Sequence, residues 1–400
     1  MRLGERGPGL GQVAVLAVSL SALWFRVNSI LSGGNWADLD VYVGGGLAVL
    51  RGESLYQMTA GGLPFTYSPF AAILFSAVAS LPTGLVRGAF TVMSLLCYGG
   101  VAVIVGHKLR LTWWATGGLA LIGLSFEPVF RTVILGQINL LLMFLVVVDI
   151  LALSSDRRGY LVGVAAGIKI VPGVFVFVFL MRREWASAAR VALGFALTVA
   201  VGAIVLPGSS WVYWKGGFAD LGRFGPPAVQ GPDNQALVAV WSRAFYDPSP
   251  GGVITVLSVA LSVAAGLAAA RLLLADEVAV LVCVAFGGLM ASPVSWTHHW
   301  VWAVPALMLL VARSKNWWAF TVGAVFLIGP MWLLPGTGTE MHRLPVVAQA
   351  VASAYVLMAL VVLTVLAVSR AAPRADAPVV HRHGAGVCDD SAGKISMDPT

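Results

Sequence analysis

The sequence predicts an all-α polytopic membrane protein with about ten to twelve transmembrane helices and further helices at the outer membrane surface. Apolar runs long enough to cross a bilayer recur along most of the chain. Hydrophobic residues make up 58% of the sequence and charged residues only 11%, whereas about 25% of the residues of a soluble domain are charged. The basic residues form short clusters between the apolar runs, which is the pattern that orients membrane helices.

A single topology follows if all the basic clusters face the cytoplasm. The first span, at 10–31, then leads to a first outer loop at 32–66. The apolar stretch at 67–82 holds about 15 residues, fewer than the roughly 20 that a span needs, so we expect an interfacial or re-entrant helix there. The next spans are predicted at 84–106, 111–126 and 132–153.

The segment 159–181 is long enough to cross once, but arginine pairs flank it on both sides and Gly-Ile-Lys-Ile-Val-Pro-Gly interrupts it. We therefore expect a broken helix pair with a turn inside the membrane, where irregular backbone is tolerated only if it is packed in protein or lines a wet cavity. The remaining spans are predicted at 186–206, 251–273, 277–292, 299–313, 317–335 and 346–369. They complete a transmembrane domain at 1–370, with an outer loop at 207–250 and a disordered cytoplasmic tail at 371–400.

Two acids follow the first span in the stretch "NWADLDVYVGGG", and the topology places both on the outer face. Asp38 and Asp40 begin a short amphipathic helix, where the helix dipole favours acidic side chains. Capping of this helix by Asp38 is therefore one explanation, and a role in chemistry is the other.

Lys169 is the strongest isolated signal, because it lies eleven residues from Arg158 and thirteen from Arg182. An ionisable residue at membrane depth costs about 2.5–3.5 kcal/mol, so it is expected to face a cavity and to have a partner. A lysine beside Gly and Pro at such a turn is suited to neutralising a phosphate, with Arg131 as a second cation. An anionic lipid headgroup is the expected ligand.

His298 and His299 lie between Trp296 and Trp300 in a second polar stretch of the outer face. Adjacent helical positions point about 100° apart and no third histidine lies nearby, so we predict no metal site. We expect one histidine to hydrogen-bond an anion while its neighbour packs, and the sequence leaves open which does which. The flanking tryptophans suit either the interfacial belt or a platform for sugars.

Several classes of function are excluded or disfavoured. The net charge of +7 comes from clusters between the spans, not from a basic groove interleaved with aromatics, so no nucleic-acid partner is expected. Neither GxxxxGK[ST] nor GxGxxG after a strand occurs, so nucleotide binding is not expected. A transporter or flippase for a lipid-linked sugar is the competing class, but it usually shows internal repeats and midplane polar groups. This sequence shows no repeat and collects its polar residues on one side.

Six motifs carry a resemblance to a known family, in the order "DLDVYVGGGLAVLRGESLY", "FTYSPFAAILFSAVASLP", "LGQINLLL", "AAGIKIVPGVFVFVFLMRREW", "DNQALVAVWSR" and "SPVSWTHHWVW". Together they cover about 38–303 of the chain. In this order the motifs resemble the actinobacterial polyprenol-phosphate-mannose-dependent α-(1→2)-mannosyltransferases. These are integral-membrane glycosyltransferases of the GT-C type (family 87, DUF2029) that extend phosphatidylinositol mannosides and lipomannan.

The resemblance implies a GT-C fold with its active site at the outer face of the plasma membrane. It implies a polyprenyl-phosphate mannose donor, a glycolipid acceptor of the phosphatidylinositol mannoside, lipomannan or lipoarabinomannan type, and inversion to an α-(1→2) linkage. An acid of the first outer loop acts as general base in such enzymes, and the acid of the pattern D-L-x-V-Y is Asp38. Asp40 occupies the variable position and remains the alternate base.

The same reading assigns the remaining site residues. Lys169, with His298, His299 and Arg131, is expected to stabilise the departing donor phosphate. Because a single lipid phosphate leaves as a stable anion, we expect neither a general acid nor a metal cofactor. The predicted substrate-binding residues are Tyr42, Gln137, Asn139, Trp211, Tyr213, Asn234, Gln235 and Trp296, of which the outer aromatics Trp211, Tyr213 and Trp296 are expected to stack on acceptor sugars. A polyprenyl-phosphoarabinose-dependent arabinofuranosyltransferase is the alternative within the fold, and the oligomeric state stays open.

Overall fold

A computed structural model describes residues 35–219, 229–245, 252–334 and 345–369, together with the helical residues Ser21, Trp24 and Asn28. Most of the predicted first span and all of the predicted tail at 371–400 lie outside the described residues. Helices make up nearly all the secondary structure of the described part, which confirms the predicted all-α class. The one sheet there is an antiparallel hairpin of Thr59–Ala60 with Leu63–Pro64.

The helices are numbered here in chain order. The first half of the chain forms α1 (Ala37–Arg51), α2 (Pro69–Ala79), α3 (Thr83–Lys108), α4 (Trp113–Leu124), α5 (Glu127–Ile134), α6 (Asn139–Ala152), α7 (Tyr160–Ile168) and α8 (Val171–Met181). The second half forms α9 (Trp185–Val205), α10 (Pro207–Trp214), α11 (Leu237–Phe245), α12 (Gly252–Arg271), α13 (Glu277–Ala291), α14 (Thr297–Ala312), α15 (Asn316–Ile328), α16 (Val346–Ala352) and α17 (Ala354–Val368).

Three helices of the described part, α3, α9 and α12, are long and apolar enough to cross a membrane, so the chain is a membrane protein. Two bent pairs raise the number to five if each pair is one span: α4 with α5, bent by 64°, and α16 with α17, bent by 74°. This is fewer than the predicted ten to twelve spans. The difference arises because α2, α6, α8, α13, α14 and α15 occupy apolar stretches but have only 10–17 residues each. Pro128 at the start of α5 and a 3₁₀ turn opening α14 are two of the interruptions.

The segment predicted to be a broken pair forms two helices, α7 and α8. A residue before α7 and a residue after α8 both contact one carboxylate, that of Glu277. Glu277 lies 3.5 Å from Arg158, before α7, and 3.0 Å from Arg182, after α8. Lys108, at the end of α3, contacts the same carboxylate at 2.8 Å. The two helices therefore form a hairpin whose open end lies on the face that carries the basic clusters, and whose tip holds Lys169.

The basic face also carries exposed tryptophans at the starts of three helices. Trp113, Trp185 and Trp317 begin or nearly begin α4, α9 and α15, each only a few residues after a basic cluster. Tryptophan beside basic residues is typical of the boundary between lipid and water. We therefore place a membrane–water boundary at this face.

Two contacts fix the hairpin in the bundle. The Asp149 carboxylate accepts hydrogen bonds from the backbone N–H groups of Gly159 at 2.5 Å and Val162 at 2.7 Å, and so satisfies the first turn of α7. Gly163 lies directly against α9, where a Cβ atom would collide with the carbonyl oxygen of Val191. Both contacts fix the position of α7 along the bundle, and Lys169 follows its C-terminal end at the tip of the hairpin.

Candidate active site

Asp38 is brought into the site by the way α1 begins. The backbone N–H groups of Asp38 and Leu39 both donate to the carbonyl oxygen of Leu135, at 3.2 and 3.1 Å. The turn after α5 therefore satisfies two of the backbone N–H groups that lack a partner within the first turn of α1. The N-cap residue, Trp36, forms no capping hydrogen bond with its side chain. Capping does not occupy the carboxylate of Asp38, which lies in the first turn and faces Gln137.

Gly136 makes this close approach possible. Its φ of +67° lies in the left-handed region, and a Cβ atom there would collide with the Cβ of Leu39. Both conditions favour glycine. The "LGQ" motif therefore provides a backbone contact with α1 and delivers Gln137 to the carboxylate.

Gln137 is oriented by two buried tyrosines. Tyr42 and Tyr67 each donate a hydroxyl hydrogen bond to its Oε1, at 2.7 and 3.1 Å, and their two hydroxyls are 2.7 Å apart. Because the carbonyl oxygen is occupied in this way, the amide nitrogen is the group that donates to Asp38. Tyr42 was predicted to bind substrate. In the structure its fully buried ring stacks on Phe75, and its hydroxyl group hydrogen-bonds to Gln137.

Lys169 stands at the tip of the α7–α8 hairpin with polar partners from two other segments. Its Nζ lies 2.9 Å from Nε2 of His299 and 3.2 Å from Oδ1 of Asn139. An ammonium group can only donate, so Nε2 of His299 accepts and the ring proton lies on Nδ1. Asn139 in turn donates to the carbonyl oxygen of His298 at 2.9 Å, which ties the start of α6 to the start of α14.

The carboxylate of Asp38 is electrostatically coupled to this cation. Burial raises the pKa of Asp38 above its usual range, while the Gln137 hydrogen bond and the charges of Lys169 and Arg131 oppose the rise. A carboxylate with a raised pKa is a stronger base than an exposed one. The arrangement can accept a proton at Asp38 and stabilise an anion at Lys169.

The hydrogen bond from Gln137 predicts a pH effect. A hydrogen bond to the carboxylate favours the ionised form, so Gln137→Met should raise the pKa of Asp38. As the pH falls, the variant should then lose activity at a higher pH than the wild-type protein. The measurement is the rate of sugar transfer across an acidic pH series, and an acidic limb that stays in place would contradict the assigned contact.

Arg131 belongs to a different group of side chains. It lies 3.6 Å from the Glu127 carboxylate, and its guanidinium stands 4.4 Å from the ring centroid of Trp332. Glu127 also accepts hydrogen bonds from Trp332 and Tyr355, each at 2.8 Å. Arg131 is thus held by a carboxylate and an aromatic ring.

Asp40 is not brought to the site. Its carboxylate pairs with Arg87 at 3.2 Å, and the side chain is 45% exposed. Successive positions of a helix point in different directions, so the two acids of "DLD" face different surroundings. Asp40 as alternate base stays a prediction without geometric support.

Asn234 and Gln235 were predicted to bind substrate, but the structure gives their amides backbone partners. Asn234 donates to the carbonyl oxygens of Val229 and Pro293, and Gln235 donates to those of Pro232 and Ala352. Their own side-chain oxygens accept from Ala236, Ser295 and Tyr355. Both residues are fully buried, and these hydrogen bonds shape the loop that carries Asp233.

The three aromatic residues predicted to stack on acceptor sugars, Trp211, Tyr213 and Trp296, lie in different surroundings. Trp211 is 68% exposed and contacts only its neighbour Lys215 among the described ring contacts. Tyr213 is buried and stacks on Tyr56 at 5.8 Å, behind the Tyr67 segment. Trp296 pairs through its backbone with Asn234 and lies next to the stretch that holds both histidines.

Two residues of the site were missing from the sequence prediction. Tyr67 orients Gln137 and faces Lys169, whose Nζ is 5.5 Å from its ring centroid. Asp233 lies on the loop between α10 and α11, and its backbone oxygen accepts from Thr297 at 2.9 Å. Both lie inside motifs quoted above, "FTYSPF" and "DNQ", so position within a motif was the available signal.

An apolar groove of about 360 Å³ lies between α2, α3 and the start of α6. Its lining is entirely apolar and includes Leu74, Val78, Leu85, Phe90, Ile138 and Ile168. Leu74 and Leu85 are exposed at the surface, whereas Ile168 precedes Lys169 directly and Ile138 precedes Asn139. The groove therefore extends from the exterior of the bundle to Ile168, whereas Lys169 and Asn139 line a separate cavity.

The described residues include no group of three or more His, Cys, Asp or Glu side chains placed to hold a metal ion.

Three sequence and structure comparisons add to the geometry. The profile of Glycosyltransferase family 87 matches residues 65–293, more than half of the chain. No solved structure matches.

Curated relatives from mycobacteria resemble most of the chain. It is 33% identical to the polyprenol-phosphate-mannose-dependent α-(1-2)-phosphatidylinositol mannoside mannosyltransferase of Mycolicibacterium smegmatis, over 76% of this chain and 77% of that protein. It is 32% identical to the corresponding pentamannoside mannosyltransferase of the same organism, over 80% and 82%. A phosphatidylinositol mannoside mannosyltransferase of Mycobacterium tuberculosis is 32% identical over 70% and 71%.

Proposed function

The chain belongs to glycosyltransferase family 87 and is a membrane glycosyltransferase, and from this premise we propose that it transfers mannose from a polyprenyl-phosphate mannose to a phosphatidylinositol mannoside or a related glycolipid. The linkage formed is α-(1→2), as the names of the relatives state for those proteins. The observation that carries the proposal is the convergence of Asp38 and Lys169, with His299 and Asn139, from four distant segments.

The chemistry of the transfer matches this pair. The acceptor hydroxyl oxygen attacks the anomeric carbon, its bond to that carbon forms, and the hydroxyl proton passes to Asp38. The bond from the anomeric carbon to the phosphate oxygen breaks, and the electron pair leaves with polyprenyl phosphate. Lys169 and the N–H group of His299 stabilise that anion, since preformed donors stabilise charge that develops during the reaction.

The apolar groove supports a donor that is carried on a lipid. It extends from the exterior of the bundle to Ile168, the residue directly before Lys169, and its apolar lining suits a prenyl chain. Burial of each methylene contributes about 0.8 kcal/mol, so a prenyl chain in this groove would contribute to the affinity for the donor.

The function is tested with membranes that contain the protein and radiolabelled polyprenyl-phosphate mannose. We expect labelled glycolipid with the mannose donor, none with the arabinose donor, and an unchanged rate after EDTA, since we also propose metal independence. Product with polyprenyl-phosphate arabinose alone would overturn the choice of donor. Loss of activity in EDTA that Mg²⁺ restores would overturn metal independence.

We also propose that the site opens to the outer side of the plasma membrane. The support is that the basic clusters and the exposed tryptophans share the face opposite the hairpin tip, and such clusters favour the cytoplasm. A cysteine replacing exposed Trp211, near the other face, should react with a membrane-impermeant maleimide on intact cells. Reaction only after the cells are opened would reverse the orientation.

A further inference from the structure

A second polar cluster is built beside Asp38 from three segments, and we call it the Arg131 cluster: Glu127, Arg131, Asp233, Thr297 and His298. Two backbone contacts hold it together. Thr297 donates its N–H to the carbonyl oxygen of Asp233 at 2.9 Å, and Thr132, next to Arg131, donates its hydroxyl to the carbonyl oxygen of His298 at 2.8 Å. The cluster therefore joins α5, the loop before α11 and the start of α14.

The cluster has unused hydrogen-bonding capacity. His298 is only 6% exposed, and neither of its ring nitrogens has a hydrogen-bond partner in the part of the chain that the structure describes. The same holds for Oγ1 of Thr297, and Nε of Arg131 makes no hydrogen bond beyond its 3.6 Å ion pair with Glu127. Buried polar groups in folded proteins are nearly always partnered, so these four atoms indicate a ligand that supplies several hydrogen-bonding groups at once.

The charges around Arg131 indicate which kind of ligand. Glu127 lies 3.6 Å from Arg131, and the charges of Arg131 and Asp233 also interact. The two carboxylates compensate the guanidinium and would repel a phosphate. Lys169, in contrast, has the neutral partners Asn139 and His299 and is suited to a phosphate. A sugar fits the Arg131 cluster, because its hydroxyls donate to carboxylates and accept from Arg and His.

We infer that the Arg131 cluster binds the terminal sugar of the acceptor glycolipid and directs its reacting hydroxyl toward Asp38. This inference rests on the proposed function. It reassigns Arg131 and His298, which the sequence reading gave to the donor phosphate, and it leaves that phosphate to Lys169 and His299. Ile134 and Leu135, at the end of α5, accept the backbone N–H groups of Trp36 and Asp38, so α5 holds the cluster against the start of α1. The charges of Arg131 and Lys169 both act on the Asp38 carboxylate.

The test separates the two substrates kinetically. His298→Phe keeps the ring volume and removes both nitrogens, and we expect it to raise the KM for an alkyl α-mannoside acceptor about tenfold while the KM for the donor stays within about twofold. Octyl α-mannoside serves as the acceptor. His107→Phe is the matched control, because His107 is exposed at the end of α3 on the basic face, and it should change neither constant. A rise in the donor KM alone would overturn the inference.

A second measurement uses the unaltered protein and does not depend on catalysis. A photoactivatable alkyl α-mannoside is cross-linked to the full chain in lipid vesicles, and labelled peptides are identified by mass spectrometry. We expect label within 127–134, 229–236 or 297–302, competed by octyl α-mannoside. Label confined to 160–175 would contradict the inference. A wild-type protein that takes this label but transfers no mannose would instead contradict the proposed function.

Discussion

Asp38→Asn should reduce mannosyl transfer by about 10²–10⁴-fold while the protein still inserts into membranes. The amide keeps the size and the hydrogen bonding of the side chain but cannot accept the proton of the attacking hydroxyl. Asp38 is only half-buried and does not cap α1, so we expect little loss of stability. The measurement is the initial rate with labelled donor at matched protein levels in membranes.

Asp40→Asn is the matched control, because it changes the same functional group two residues further along the same helix. It removes only the pair with Arg87 at the surface, and exposed pairs contribute about 0–1 kcal/mol to stability. We expect nearly full activity. Wild-type turnover by Asp38→Asn together with loss in Asp40→Asn would move the base to Asp40.

Lys169→Met should have the second largest effect, because it removes the cation at the hairpin tip and keeps most of the apolar stem. We expect kcat to fall about 10²–10³-fold, as when one preformed donor to a developing anion is removed. The donor KM should also rise, since the lysine contacts the phosphate before the reaction. Lys215→Met, at an exposed lysine that contacts Trp211, is the control and should behave as wild type.

Unchanged kcat and donor KM in Lys169→Met would show that the lysine does not bind the donor phosphate and only extends its charge toward the membrane surface. Lys169→Arg adds a sharper comparison. It keeps the charge, but the planar guanidinium cannot reproduce contacts of a compact ammonium with His299 and Asn139. We therefore expect intermediate activity, closer to wild type than Lys169→Met.

Those parts of the site that depend on local signals could be predicted from the sequence. Lys169 stands out because charge is costly at membrane depth, and the arginine pairs around 159–181 indicate a hairpin because one face must accommodate both. In the structure, Arg158 and Arg182 meet at Glu277. The resemblance to the mannosyltransferase family is confirmed by the match to residues 65–293.

Other parts depend on contacts between distant segments and could not be predicted. Asp38 meets Gln137 only because Leu135 accepts the free N–H groups of α1, and no local pattern reveals that contact. Asn234 resembled a polar ligand residue, yet its amide is used entirely by backbone groups. Sequence shows that a polar group is present, but burial and partners decide whether it faces a ligand.

Helix lengths were also difficult to predict, since hydropathy measures composition and not backbone continuity. The apolar run predicted at 132–153 contains the end of α5, the Gly136 turn and the whole of α6. That turn carries Gln137 to Asp38. The break in the helix is therefore part of the site, which is where irregular backbone at membrane depth is tolerated.

The central claim is a single displacement in which Asp38 takes the proton and Lys169 holds the leaving phosphate. The most direct measurement is the anomeric configuration of the product formed by the purified full-length protein in lipid vesicles from polyprenyl β-mannosyl phosphate and octyl α-mannoside. We expect an α-(1→2)-linked disaccharide, determined by NMR and by α-mannosidase digestion, and none from Asp38→Asn. A β-linked product, or equal yield from Asp38→Asn, would contradict the claim.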